Sequence, residues 1–341
     1  MQFLILLHGL SLPEQGYDRG GTTLTLVTQV LRRRLKTLFQ WAVVAVTAIV
    51  LIRIAVQRGG DLGGVSLSFN FFWLPHAAIA CSVANLLLPL GWRRLIIAFG
   101  ATITTGHAVR LWSLAQAARY VPTGLLAVTS RLQLAAKAGI SKTITASSIA
   151  IETAVLFAWA LLTCALFVPS STFPSVTRWT SGSAAVLGLA TLPWLVPAAS
   201  TGLSKLKKIS VPGAKSRILC EGIALLGLSV FARALGTVCL AAGYLELGSS
   251  DLPLIVGATY AAVIAGMIGI TPAGLGVREG VITAILAGKF GLADAAAFAL
   301  ISRAWEFALE MLFLAAASWW GRPNRSSGDS KRDYRRPKGK L

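Results

Sequence analysis

The chain predicts an all-α polytopic membrane protein, and three features carry that prediction. Hydrophobic residues fill 55% of 341 positions against 13% charged, with a mean hydropathy of +0.69, far from the balance of a soluble domain. Apolar stretches recur near 37–57, 69–90, 95–117, 143–168, 182–199, 218–245, 253–270 and 293–320. A spanning helix needs about 20 such residues, so about eight transmembrane helices are expected. Basic residues gather at the ends of these stretches and in the tails, where they orient helices in a bilayer.

Taken in order, residues 1–34 form an N-terminal extension expected to be mobile. Its apolar start, Met1 to Leu7, lacks the preceding positive charge and small-residue cleavage site of a secretory signal. The transmembrane domain covers 35–320, in halves of about 35–168 and 182–320, and 321–341 is a basic tail. Cys81, Cys164, Cys220 and Cys239 lie in apolar stretches without a CxxC pair, as buried free thiols do.

The formal charge of +19 could suggest nucleic acid, but its distribution argues for topology. Arg32, Arg33, Arg34 and Lys36 precede the first stretch, and the tail holds eight Lys and Arg from Arg322 to Lys340. Both termini are therefore expected in the cytoplasm. Arg93 and Arg94, and the cluster Lys205, Lys207, Lys208, Lys215 and Arg217, should lie there too, with the loop Glu246–Asp251 outside. Eight simple crossings cannot satisfy all of these, so the parity needs one more element between 93 and 205.

A repeat supplies it. Tyr120-Val-Pro-Thr-Gly-Leu125 matches the core of Gly269-Ile-Thr-Pro-Ala-Gly-Leu275 at an offset of 150 residues. Each copy follows an apolar helix and precedes a long apolar helix bearing charge: Glu152 in one half, Arg303 and Glu306 in the other. The prediction is thus two Pro/Gly-broken half-helical segments in two inverted repeats, the plan of many transporters with a midplane site. In the alternative, both segments are re-entrant hairpins that dip in and return.

Pro122, Gly124, Pro272, Gly274 and Gly276 shape the breaks, because proline removes a donor and glycine admits conformations other residues resist. A helix starting near Val277 would aim its first amides into the cavity, a ready phosphate site. Arg278 adds a fork that matches phosphate oxygens, and Glu279 can neutralise it or bind a cation. The bland reading of that pair is a salt bridge sealing a helix end. Glu152 needs a basic partner, for which Arg131, Arg233 and Arg303 are candidates. Arg53 and Arg110, near segment ends, are expected to snorkel.

At these residues the chain resembles the flippase-like transmembrane region shared by bacterial lysylphosphatidylglycerol synthases and many stand-alone membrane proteins. The resemblance rests on Tyr120-Val-Pro-Thr-Gly-Leu125 with Arg131 and Gly139, on Glu152, and on Thr271 to Gly280 with Arg303, and covers about residues 35 to 320. Ala273 stands where that family's second motif carries its first glycine. The resemblance implies movement of an anionic phospholipid or polyprenyl-linked lipid between leaflets of the plasma (inner) membrane. No aminoacyltransferase domain is expected, since only about twenty residues follow the last apolar stretch.

An enzyme is not expected. His8, His76 and His107 are scattered, no paired carboxylates stand in a loop, and Gly274-Leu-Gly276 follows no strand. No cofactor and no metal site are implied. The expected partners are membrane lipids or lipid-linked glycans, with envelope-biosynthesis enzymes as candidates and no nucleic acid. The competing readings are a non-transporting accessory subunit of an envelope lipid or polysaccharide system and, behind it, a membrane-embedded transferase.

Overall fold

A computed structural model describes residues 69–118, 126–169, 174–207, 213–268 and 274–320. The N-terminal extension, the stretch at 37–57, the basic tail, Pro122, Gly124 and Pro272 lie outside the described residues. Within them the chain is all helical: α1 (Trp73–Ala98), α2 (Thr105–Ala117), α3 (Leu126–Lys137), α4 (Lys142–Phe167), α5 (Ser175–Lys207), α6 (Ser216–Tyr244), α7 (Leu252–Ile268), α8 (Val277–Phe290) and α9 (Leu292–Trp320), with a 3-10 turn at Ser249–Asp251. Five segments are long and apolar enough to cross a membrane: Trp73–Ala98, Lys142–Phe167, Ser175–Ser200, Ser216–Tyr244 and Ser249–Ile268. The 29-residue α9 falls outside that set, and its apolar run is broken by Arg303, Glu306 and Glu310.

Helices α1 and α6 run antiparallel along their whole lengths. The Asn70 amide donates to the Gly243 carbonyl at 2.7 Å at one end, and the Lys215 amide to the Ala98 carbonyl at 3.0 Å at the other. Small residues allow this approach, the usual solution where lipid removes any hydrophobic reason for helices to meet. A Cβ on Gly91 would stand 2.8 Å from Leu226, one on Gly222 2.9 Å from Leu95, and one on Gly236 would overlap the Cys81 sulfur. We call the end holding Gly243 the upper end and the end holding Ala98 the lower.

Two hairpins enter the bundle from opposite ends. Helices α2 and α3 start and finish at the lower end, where Ala108, Leu111, Ala135 and Ile140 share one apolar cluster with Ile96 and Phe99. Helices α7 and α8 start and finish at the upper end, tied by Lys289 and Asp251 at 3.2 Å. Each hairpin then turns into a long helix through a glycine of positive φ, Gly139 at 81° and Gly291 at 83°. Helices α4 and α9, beginning at Lys142 and Leu292, keep the 150-residue offset of the two sequence breaks.

The stretch at 95–117 is therefore not one spanning helix, and this corrects the sequence reading. α1 consumes its first residues, a turn intervenes, and the 13-residue α2 is too short to cross alone. Because α2 pairs with α3 and returns, α4 rises and α5 descends. The Lys215 segment then comes back to the lower end of α1, where its amide meets the Ala98 carbonyl. Arg94 pairs with Glu221 there at 3.3 Å.

Candidate functional site

At 1.5 Å per residue, Asn85, Arg233, Arg303 and Glu306 stand about 17 to 21 Å below the upper ends of helices about 40 Å long. The tip of the α7–α8 hairpin reaches that depth. There Gly274, at φ 69°, approaches Gly266: a Cβ on Gly274 would lie 2.9 Å from the Gly266 Cα. Both glycines also frame the aliphatic stem of Arg278, since a Cβ on Gly266 would meet its Cγ at 2.7 Å. Gly276, at φ 82°, caps α8, and its amide donates to Glu279 Oε2 at 2.6 Å.

Five charged side chains from three helices meet at this tip. Arg278 of α8 grips Glu306 of α9 with two nitrogens on two oxygens, each 3.2 Å away. Arg303 reaches Glu306 Oε2 at 3.4 Å and Glu279 Oε1 at 3.4 Å. Arg233 of α6 stands 3.6 Å from Glu306 Oε1 and donates to Asn85 Oδ1 of α1 at 2.6 Å. The Glu279 side chain is 5% exposed and that of Glu306 13%, so the cluster is nearly sealed. Two polar atoms within it, Arg278 Nε and Glu279 Oε1, are buried without a hydrogen bond among the described residues. Beside them lies a cavity of about 20 Å³ bounded by Cys81, Thr259, Arg278, Glu279, Arg303 and Glu306, room for about one water.

Glu152 and Arg131 meet elsewhere, nearer the lower end. Arg131 of α3 donates to Glu152 Oε2 of α4, and the Trp112 indole of α2 donates to Oε1 at 2.8 Å. The guanidinium stands 5.3 Å from the Trp92 ring and 5.4 Å from that of Trp112, within cation–π range. Trp92 in turn donates to Ser148 at 3.0 Å. Both carboxylate oxygens are engaged, and the two side chains are 8% and 6% exposed, an arrangement that clamps the α2–α3 hairpin to α4.

The structure thus gathers Arg278, Glu279 and Arg303 into one cluster and separates Arg131 with Glu152 into another. Arg131 is the partner taken by Glu152, and Arg233 joins the cluster at the hairpin tip. Glu306, Arg233, Asn85 and Gly266 complete the tip without having been singled out as site residues. A lone Arg or Asn within an apolar run was a usable signal for Arg233 and Asn85; Gly266 offered none. Among the described residues no three His, Cys, Asp or Glu side chains gather as metal ligands would. No family model, curated protein or solved structure matches this chain.

Proposed function

We propose that this protein is a multi-pass membrane translocator that carries the anionic headgroup of a lipid past the middle of the bilayer. The single observation behind this reading is the convergence of Arg233, Arg278 and Arg303 on a broken-helix tip at mid-depth. Charge there is costly, and irregular backbone at such depth is tolerated only in protein or beside a wet cavity. The two helix groups correspond element by element: α1 with α6, hairpin α2–α3 with α7–α8, and α4 with α9. Their opposite directions support an inverted repeat joined by α5. Arg93, Arg94, Lys137, Lys142, Lys215 and Arg217 at the lower end favour a cytoplasmic lower face.

The cavity is far too small for a headgroup, so the described form is closed, and admission of substrate requires the α7–α8 tip to part from α9. The same smallness favours one competitor, a non-transporting subunit whose buried charges only lock the bundle. Reconstituted vesicles separate the two. A translocator moves labelled phosphatidylglycerol or phosphatidic acid between leaflets, and Arg278→Ala or Glu279→Gln abolishes the movement while the protein still elutes as a folded species. Full transport in both variants overturns the assignment of the tip, and no transport by the wild type favours the subunit.

A further inference from the structure

Resting on the translocator reading, we propose that Glu306 is a built-in stand-in for the substrate: in the closed form its carboxylate occupies the place that a phosphate monoester takes among Arg233, Arg278 and Arg303. Glu306 is the common focus of the three guanidinium groups, which come from α6, α8 and α9. The paired contact from Arg278 uses the planar fork that fits carboxylate and phosphate oxygens alike.

Glu279 has a different task. Its Oε2 is spent on the Gly276 amide, so it caps α8 and stays with the hairpin. The unspent capacity lies next to it, since Arg278 Nε donates to nothing among the described residues while buried. A fully satisfied lock would leave no such donor, because a buried donor left unused is destabilising.

Charge also fits the exchange. Three arginines face Glu279 and Glu306, and Glu310, one turn along α9, acts on Arg233 as well. When Glu306 swings out, three guanidinium groups are left facing Glu279, with Glu310 beside Arg233, an excess of one to two positive charges. A phosphate monoester, with about −1.5 to −2 charge at neutral pH and three terminal oxygens, offsets that excess. Admission of the phosphate and departure of Glu306 then become one competitive step.

The test uses the full chain in nanodiscs of phosphatidylcholine alone, titrated with inorganic phosphate and read by calorimetry and thermal melting. Removing the competitor in Glu306→Gln should tighten phosphate binding by at least about tenfold over wild type, and phosphate should raise the variant's melting temperature more than the wild type's. Adding Arg278→Lys to Glu306→Gln should reverse the gain. If Glu306→Gln does not fold, Glu306→Asp, with its carboxylate drawn back by one methylene, should still bind phosphate more tightly than wild type. Phosphate binding unchanged in whichever variant folds overturns the proposal.

Nanodiscs containing phosphatidic acid separate the sources. Competition with inorganic phosphate identifies a lipid headgroup as the ligand. Phosphate binding untouched by phosphatidic acid keeps the stand-in and removes the translocator reading. Lipid transport without any phosphate response in the variants does the reverse.

Discussion

Arg131 and Glu152 form a buried pair in which each side chain depends on the other. Arg131→Met leaves Glu152 with the Trp112 indole alone, and breaking a buried pair this way costs about 3 to 5 kcal/mol. The double replacement Arg131→Met with Glu152→Leu removes both charges and should regain most of that loss, read as melting temperature in detergent. If single and double replacements melt together, the clamp is not an ion pair in energetic terms. At this scale a charge in an apolar run marks itself, and Arg278, Glu279, Glu152 and Arg303 all stand in buried ion pairs. Pairing was not legible, because three arginines were plausible for Glu152 and only the return of α3 beside α4 selects Arg131.

Hairpins take up two of the described stretches that hydropathy counts as full spans, 95–117 and 253–270. Hydropathy registers burial without telling lipid from protein, so the 95–117 stretch looked like a span although α2 is held by α3 and α9. The break at Gly269–Gly276 was plain from its glycines and proline, and α8 starts at Val277 as expected. The close turn sets a sharp steric limit at Gly266. Gly266→Leu drives a side chain into the Arg278 stem and should abolish transport, while Gly188→Ala, where a Cβ meets nothing within 4 Å, should transport as wild type does. Equal activity in both would show that the tip has slack. Along the α1–α6 contact, Gly222→Leu overpacks against Leu95 and should cost about 1 to 3 kcal/mol in a detergent melt; an unchanged melting temperature would mean that the helices yield.

For the whole molecule, the direction of the two hairpins was open in the sequence, where only the Pro-x-Gly-Leu recurrence hinted at it. Packing far apart in the chain decides it, namely Lys289 with Asp251 above and the apolar cluster that Ala108 and Ala135 share with Ile96 and Phe99 below. The proposed topology places Ser250 outside and Gly213 in the cytoplasm. In a background with Cys220→Ser, a Cys at position 250 should react with a membrane-impermeant maleimide on intact cells, and one at 213 only after lysis. The opposite pattern would invert the orientation, and reaction of both from outside would defeat the topology.

The glycine-lined contact of α1 with α6 has a mechanical consequence. Where backbones touch with little side chain between them, the proposed translocator would have a fulcrum over which α1 and α6 tilt like a seesaw. A tilt about the middle of a seam about 40 Å long that spreads helices at one rim squeezes them at the other. In the proposed translocator such a tilt would break the Asn70–Gly243 bond at one rim or the Lys215–Ala98 bond at the other, so opening would come one rim at a time.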